Sequence, residues 1–128
     1  MNTPDDVRYS RDHEWIRFDE DGAHARIGIT DYAQDALGDV VFVDLPETGR
    51  AVAANESFAE VESTKSVSDI YSPVAGVITE VNAKLEEAPE TLNEDPYGEG
   101  WICVIEVAAD ADTSDLMSAA EYAEFTEG

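Results

Sequence analysis

The sequence predicts a mainly β protein, a small antiparallel barrel or sandwich that carries two helices. Short runs rich in β-branched and aromatic residues recur about every ten residues, and turn residues separate them. Two further segments, 31–37 and 114–125, place their apolar residues at helical spacing instead. At 128 residues the chain is long enough for one hydrophobic core but not for two. We therefore expect a single domain over 1–128.

The first elements form a predicted strand pair. Residues 13–18 alternate in polarity, 19–22 is an acidic turn that ends in glycine, and 23–29 returns as the second strand. The polar ends of the chain, 1–7 and 126–128, are expected to fray.

A short helix follows the strand pair. Thr30 is its expected N-cap, Asp31 suits the positive end of the helix dipole, and Gly38 ends it, so the helix covers 31–37. The next stretch, 39–45, is almost continuously apolar. That pattern is typical of a strand buried on both faces.

The centre of the chain predicts a hairpin. Its strands cover 57–62 and 66–71, and Thr64 and Lys65 form the tip. Thr113 is expected to cap the C-terminal helix at 114–125. The remaining predicted elements are a loop with one short strand at 50–55, a turn at 72–76, a strand at 77–81, a long irregular segment at 82–100 and a closing strand at 101–107.

The charge limits the possible partners. Thirty acidic residues stand against seven basic ones, a net charge of −23. Nucleic acid is excluded because its phosphates would be repelled. Self-repulsion of this size weakens a compact state in dilute buffer, and about 1 M salt screens it by shrinking the Debye length to about 3 Å. We infer a halophilic protein that is adapted to a high-salt cytoplasm.

The sequence also predicts where the protein works. No apolar run approaches the roughly 20 residues that a membrane helix needs. The first residues have neither the basic and apolar regions of a secretory signal nor the Arg-rich character of a transit peptide. We therefore expect a cytoplasmic protein with no membrane partner.

The usual parts of an enzyme are missing from the sequence. The chain has no glycine-rich phosphate loop and no nucleophile elbow. His13 and His24 are isolated, so we expect no zinc site. Cys103 lies in an apolar run without a cationic neighbour and is expected to be a buried structural thiol. These observations predict a protein with no catalytic residues of its own.

Lys65 is the one candidate functional residue that remains. The chain has two lysines, yet one stands at the predicted hairpin tip, and small hydroxyl residues around it leave the amine open. A lysine at its reference pKa of about 10.4 is protonated and a poor nucleophile. Lys65 therefore suits an acylated anchor better than a Schiff-base catalyst. Acylation would turn it into a long neutral tether.

Blocks of residues along the chain resemble the glycine cleavage system H proteins, from about residue 8 to 126. No single block is decisive, but their order and spacing together are highly specific. The blocks are His13-Glu14-Trp15, Gly28-Ile29-Thr30-Asp31-Tyr32-Ala33-Gln34, Leu37 to Val43, Leu45-Pro46-Glu47 with Gly49, Val61-Glu62-Ser63-Thr64-Lys65 with Ser68-Asp69, Tyr71 to Gly76, Asn93 to Trp101 and Glu121-Tyr122.

The resemblance implies a barrel-sandwich hybrid of the lipoyl/biotinyl type, with lipoate amide-linked to Lys65. It implies a carrier that takes the aminomethyl group from a pyridoxal-phosphate glycine decarboxylase (P protein) to a tetrahydrofolate-dependent aminomethyltransferase (T protein). It further implies that dihydrolipoamide dehydrogenase (L protein) reoxidises the dithiol, and that a lipoate ligase or a lipoyl/octanoyl transferase attaches the cofactor. Thr64 and Ser66 depart from the aliphatic residue and alanine common in relatives, and both keep the site small.

Three acidic residues are supporting candidates. Glu14 is expected to hold the aminomethyl-loaded arm, whose ammonium is prone to hydrolysis in water; the competing interpretation is a surface carboxylate on a strand. Glu62 is expected to guide lipoylation, and its competing interpretation is a solvated face. Asp69 stands four residues after Lys65, where it would orient the amine or dock a modifying enzyme.

Different functions remain open on the sequence alone. One is a biotin carrier, although such carriers usually have methionines around the lysine, where Lys65 has Thr64 and Ser66. Another is a lipoyl domain of an acyltransferase, although those domains lack the opening strand pair and the C-terminal helix. A lipoate-relay protein, an interaction protein that has lost its cofactor and a hydrolase also stay open.

Overall fold

The computed structural model describes residues 3–20 and 22–127, and in this part of the chain nine strands form two antiparallel sheets, accompanied by four helices. The mainly β prediction is confirmed, and the sheets remain open at their edges rather than closing into one barrel. The strands are β1 Arg8–Tyr9, β2 Glu14–Phe18, β3 His24–Ile29, β4 Val40–Asp44, β5 Ala51–Val52, β6 Ser57–Ser63, β7 Val67–Tyr71, β8 Gly76–Val81 and β9 Cys103–Val107. The helices are α1 Asp31–Leu37, α2 Lys84–Glu87, α3 Thr91–Glu94 and α4 Ala119–Glu127.

The larger sheet has the strand order β1-β2-β3-β9-β8-β5, and the smaller one has the order β4-β6-β7. Alternation along the strands turns one face of each sheet inward, as on β3, where Ala25 and Ile27 are buried and Arg26 is exposed. The main core includes residues of both sheets, such as Val43 and Val61 of the smaller one. The hairpin of β6 and β7 therefore belongs to a sheet whose inner face is packed into the main core.

Helix α1 forms as its local signals predict. The Thr30 hydroxyl accepts a hydrogen bond from the Ala33 N–H at 3.1 Å, and the Gly38 N–H donates to the Gln34 carbonyl at 3.0 Å. Gly38 has a φ of 82°, a left-handed value that glycine adopts without strain. The predicted bounds 31–37 are confirmed.

Strand β4 differs from the expectation of burial on both faces. Val40 and Val43 are buried, but Val41 is 49% exposed and Phe42 is 52% exposed. The pairing with β6 shifts register between Val40 and Phe42, and such an irregularity turns two successive side chains outward. The strand also lies at a sheet edge, where Val41 and Phe42 are exposed to solvent.

The segment predicted as irregular at 82–100 contains the short helices α2 and α3. Each helix buries a leucine, Leu85 or Leu92, in the main core. Each is one turn long without a side-chain cap, so no local helix signal marks it.

The C-terminal helix begins later than predicted. Helix α4 starts at Ala119, not at residue 114, and Thr113 does not cap it. Ser118 precedes it instead: its N–H donates to Glu121 Oε1 at 2.9 Å, and its Oγ accepts from the Glu121 N–H at 3.2 Å. This reciprocal pair is a capping box, and the sequence contains its residues at the usual spacing.

The start of the chain is better packed than predicted. Tyr9 of β1 is fully buried and stacks on Tyr122 of α4 with ring centroids 4.5 Å apart, and Val7 is also buried. Residues 1, 2 and 128, included in the stretches expected to fray, lie outside the described residues. None of the helices in the described part is long and apolar enough to cross a membrane.

We expect salt to raise the midpoint of thermal unfolding, chiefly below about 1 M KCl. The ion pairs Arg17–Asp6, Arg50–Glu56 and Lys84–Glu99 each have at least one exposed partner and offset little of the repulsion from the net charge of −23. Each kcal/mol of relief should raise the midpoint by about 4 °C in a domain of this size. Calorimetry from about 0.05 to 2 M KCl measures the effect.

Screening has a distinctive concentration dependence. It saturates once the Debye length falls to about 3 Å near 1 M, and NaCl should act like KCl. A midpoint that is equal at the lowest and highest KCl concentrations would contradict the inferred adaptation to salt. An effect of KCl that NaCl does not reproduce would indicate a bound potassium ion instead.

Candidate functional site

The hairpin tip between β6 and β7 is held by one buried serine. The Ser63 hydroxyl accepts hydrogen bonds from the N–H groups of Lys65 and Ser66, both at 3.1 Å. The Ser63 N–H donates to the Ser66 carbonyl at 2.8 Å. The Thr64 N–H donates to the Asp39 carbonyl at 3.0 Å, which ties the tip to the loop after α1. Ser63 therefore fixes the turn, a role that the sequence prediction did not give it.

Lys65 stands on this tip with its side chain exposed. In the described part of the chain it makes no ion pair, whereas the other lysine, Lys84, lies 3.4 Å from Glu99. The Lys65 side chain passes along Gly38, where an added Cβ would lie 3.2 Å from Lys65 Cε. Gly38 thus serves both the end of α1 and the path of the lysine. The predicted position of Lys65 at the exposed tip agrees with the structure.

A cleft of about 260 Å³ opens beside the tip, between α1 and β7. Its walls combine acidic, polar and apolar side chains. They include Asp12, His13, Ile29, Leu37, Ser68 and Asp69. A flexible group attached to Lys65 has an adjacent surface on which it can rest.

Glu14 is buried and does not itself line this cleft. It is 1% exposed, and its chain neighbour His13 lines the cleft. Ser10 Oγ donates to Glu14 Oε1 at 2.6 Å, and the Tyr71 N–H reaches Oε2 at 3.4 Å. Burial raises the pKa of the Glu14 carboxyl to about 7. The interpretation of Glu14 as a solvated surface carboxylate is therefore wrong, while its role in holding the arm stays a prediction.

His13 was not among the predicted site residues, yet it lines the cleft. It has a φ of 67°, its ring stacks on Tyr32 at 4.5 Å, and burial lowers its pKa. Its Nδ1 lies 2.7 Å from the Tyr122 hydroxyl, which lies 2.8 Å from Thr30 Oγ1. This chain of contacts joins the start of β2, α4 and the start of α1. No local sequence signal predicts it, because Tyr122 is 109 residues away from His13.

The other two supporting candidates, Glu62 and Asp69, are exposed on the outer face of the smaller sheet. Glu62 pairs with Val67 across the hairpin, and Asp69 pairs with Glu60. Both lie near the tip, but neither contacts Lys65 through an ion pair. Asp69 also borders the cleft.

Residues outside the tip and cleft offer little other chemistry. Burial raises the pKa of the Cys103 thiol to about 12, and the fully buried side chain confirms a structural thiol. His24 lies on β3, within 4 Å of the Asp19 and Glu106 carboxylates. Among residues 3–20 and 22–127, no group of three His, Cys, Asp or Glu side chains is arranged to hold a metal ion.

Comparison with known proteins gives consistent matches along the chain. A sequence model of the family described as Glycine cleavage H-protein matches residues 7–128. A glycine cleavage system H protein from Symbiobacterium thermophilum is 54% identical over 125 residues, covering 98% of this chain and 96% of the relative. One from Rubrobacter xylanophilus is 55% identical over 120 residues, covering 94% and 91%.

A solved structure agrees with the sequence matches. The crystal structure of a glycine cleavage system H protein from Mycobacterium marinum superposes with a TM-score of 0.88 at 45% identity, covering 98% of this chain and 99% of that one. The similarity therefore extends over almost the whole length of both chains. From these matches, this chain belongs to the glycine cleavage H-protein family.

Proposed function

We propose that the protein is the lipoyl carrier of the glycine cleavage system, with lipoate attached through an amide to Lys65. The observation that carries the proposal is an exposed lysine at the tip of a hairpin whose backbone Ser63 fixes. Family membership supports the same assignment. The protein is a non-catalytic component, and the reactions belong to its partner enzymes.

The residues around Lys65 fit such a group. The amine is exposed, its neighbours Thr64 and Ser66 are small and exposed, and no ion pair within the described residues holds it back. The adjacent cleft has apolar walls, Ile29 and Leu37, suited to a hydrocarbon chain, and polar walls suited to a cationic cargo. When bound, lipoate supplies a disulfide that accepts the aminomethyl group and returns as a dithiol.

The chain's own residues position the Lys65 side chain and protect the cargo. Ser63 and the Thr64–Asp39 contact hold the tip, so that Lys65 projects in a constant direction. Gly38 leaves space for the lysine stem. Asp12 and Asp69 give the cleft negative charge that attracts a cationic cargo. Glu14, the chain neighbour of the cleft residue His13, supplies a further carboxyl whose charge changes near neutral pH.

The proposal implies a defined set of partners in the cytoplasm. They are the glycine decarboxylase, the aminomethyltransferase, dihydrolipoamide dehydrogenase and the enzyme that lipoylates Lys65. All must approach a strongly acidic protein, so complementary basic surfaces on them are expected.

Intact mass of the protein purified from its native cells tests the attachment. We expect a single lipoyl increment, and peptide mapping should place it on Lys65 rather than on Lys84. Lys84 is the matched control because it is the chain's other lysine and is paired with Glu99. A biotinyl increment on Lys65 would show that the attached cofactor is biotin and not lipoate. An unmodified chain in cells that actively degrade glycine would overturn the proposal.

A further inference from the structure

The outer face of the smaller sheet is uncovered and carries exposed apolar side chains next to the tip. Phe42 of β4, Glu62 of β6 and Val67 of β7 are direct cross-strand neighbours. Phe42 is 52% exposed and Val67 is 55% exposed. Val67 follows Lys65 by two residues, so this row of three begins beside the modification site. Exposed apolar groups gathered on one face of a folded domain mark an interaction surface.

A second row on the same face consists entirely of carboxylates. Asp44 pairs with Glu60, and Glu60 pairs with Asp69, so three acids stand side by side across the sheet. All three are exposed, and within the described residues none of them makes an ion pair. Like charges directly opposite each other, about 5 Å apart, destabilise a sheet. No ion pair among residues 3–20 and 22–127 offsets that cost.

We propose that these two rows form the docking face for the enzyme that acylates Lys65, and that this enzyme meets it with a basic surface surrounding an apolar depression. The proposal rests on the proposed function, because it requires Lys65 to be acylated. Phe42 and Val67 are the apolar contacts, and the row Asp44, Glu60 and Asp69 selects the basic partner.

The location favours the acylating enzyme over the partners that act later. Lys65 is unmodified when it reaches the acylating enzyme, and Ser63 holds its backbone in the turn. The enzyme must therefore bring the whole hairpin into contact with its active site. Enzymes that act on the far end of an attached arm have no such need. A second copy of this chain or an anionic membrane is disfavoured, because each would place negative charge against this face.

The reaction that the docking serves is an acyl transfer. An activated donor, an acyl adenylate or acyl thioester, gives its acyl carbon to Lys65 Nζ. The amide C–N bond forms, and the bond from the acyl carbon to the phosphate oxygen or sulfur breaks, so the adenylate phosphate or the thiolate leaves with the bonding electron pair. The lysine ammonium loses one proton to solvent before it attacks and a second after the C–N bond forms. A thiolate leaving group takes up the second proton; with an adenylate it passes to solvent. None of the docking residues takes part in these bond changes, so the face should affect binding rather than the chemical step.

Val67→Ala, with Val77→Ala as its control, tests the apolar row in the full-length unmodified protein. Val77 is also an exposed strand valine but belongs to the larger sheet. The acylating enzyme of the same organism is supplied with its acyl donor, and intact mass follows Lys65. We expect Val67→Ala to lower kcat/KM about fivefold through KM and Val77→Ala to leave it unchanged.

Asp44→Asn/Glu60→Gln tests the carboxylate row, with Asp110→Asn/Glu20→Gln as a control of equal charge change. The control residues are exposed and belong to turns outside the smaller sheet. We expect the test pair to lower kcat/KM about tenfold at about 0.1 M KCl and to keep part of that effect near 1 M, because ion pairs closed into an interface are screened less than exposed charges. The Val67→Ala effect should persist at the higher salt. Removing the like charges should also raise the midpoint of thermal unfolding. A raised midpoint would exclude misfolding as the cause of the lower kcat/KM.

Direct binding gives a second readout that does not depend on turnover. The Kd between the enzyme and the non-acylatable Lys65→Met protein should rise with Val67→Ala and with Asp44→Asn/Glu60→Gln. Equal acylation of all variants, or equal losses in the controls, would overturn the docking face while leaving the carrier proposal intact. A wild-type chain that the enzyme does not acylate at Lys65 would overturn both.

Discussion

Lys65→Arg is expected to abolish lipoylation and, with it, all glycine-dependent activity of a reconstituted glycine cleavage system. Arginine keeps the positive charge and a long stem, but its guanidinium stays protonated and does not act as an acyl acceptor. Lys65 is exposed and makes no ion pair in the described part of the chain, so the fold should be unaffected. The change therefore removes the attachment and nothing else.

Lys84→Arg is the matched control for this experiment. Lys84 contacts Glu99 at 3.4 Å on the exposed surface, and arginine can keep that contact. We expect the control protein to gain one lipoyl increment and to support the exchange of CO₂ with glycine at the wild-type rate. Full activity of Lys65→Arg, or a lipoyl increment on Lys84, would show that the functional lysine has been misassigned.

The hairpin and the first helix could be predicted because their signals are local. The cap Thr30, the terminal Gly38 and the strands that flank Lys65 each depend on neighbours within a few residues. The start of α4 is equally local, since Ser118 and Glu121 form a capping box. Its prediction was wrong because Thr113 is also a residue type that caps helices, and it comes first in the chain.

The cleft could not be predicted because its walls come from distant parts of the chain. His13 precedes β2, Leu37 ends α1, and Asp69 belongs to β7. Alternation along β2 indicates that Glu14 shares a face with Ile16, but a charged residue is rarely fully buried. The outward turn of Val41 and Phe42 depends on a register shift against β6, which the apolar run at 39–45 does not reveal.

The two acidic features of the site have different physical bases. The carboxylates on the smaller sheet are exposed to solvent, so salt should weaken their attraction for a basic partner. Glu14 is buried, so its charge depends on pH near neutrality and is poorly screened. Variation of salt and of pH therefore separates docking on the outer face from events at the cleft.

Glu14→Gln is expected to stabilise the protein above neutral pH by between about 1 and 3 kcal/mol. Burial raises the pKa of Glu14 from 4.5 to about 7 in the folded state. Below pH 4.5 the Glu14 carboxyl is protonated in both the folded and the unfolded chain, so its burial carries no cost from charge and the free energy of unfolding is at its full value. Between 4.5 and 7 the unfolded chain releases the proton first, so folding loses about 1.4 kcal/mol per pH unit. Above about pH 7 the loss is complete.

Glutamine stays neutral at every pH and keeps the acceptor for Ser10, which donates at 2.6 Å. Its amide would face the Tyr71 N–H, at a cost of about 1 kcal/mol. The difference in the free energy of unfolding between variant and wild type should therefore rise from pH 4.5 to about 7 and then level off. Urea unfolding at each pH measures it. Glu20→Gln, an exposed control, should show no such rise.

The same substitution should weaken the protection of the aminomethyl cargo. A neutral amide attracts an ammonium less than a carboxylate does, so the loaded protein should hydrolyse faster, most clearly above about pH 7 where Glu14 is ionised. Intact mass over time measures the lifetime. A stabilised protein with an unchanged lifetime would limit Glu14 to a structural role. A shorter lifetime in a more stable protein would show that the buried charge is maintained for the cargo, because the fold alone would favour glutamine.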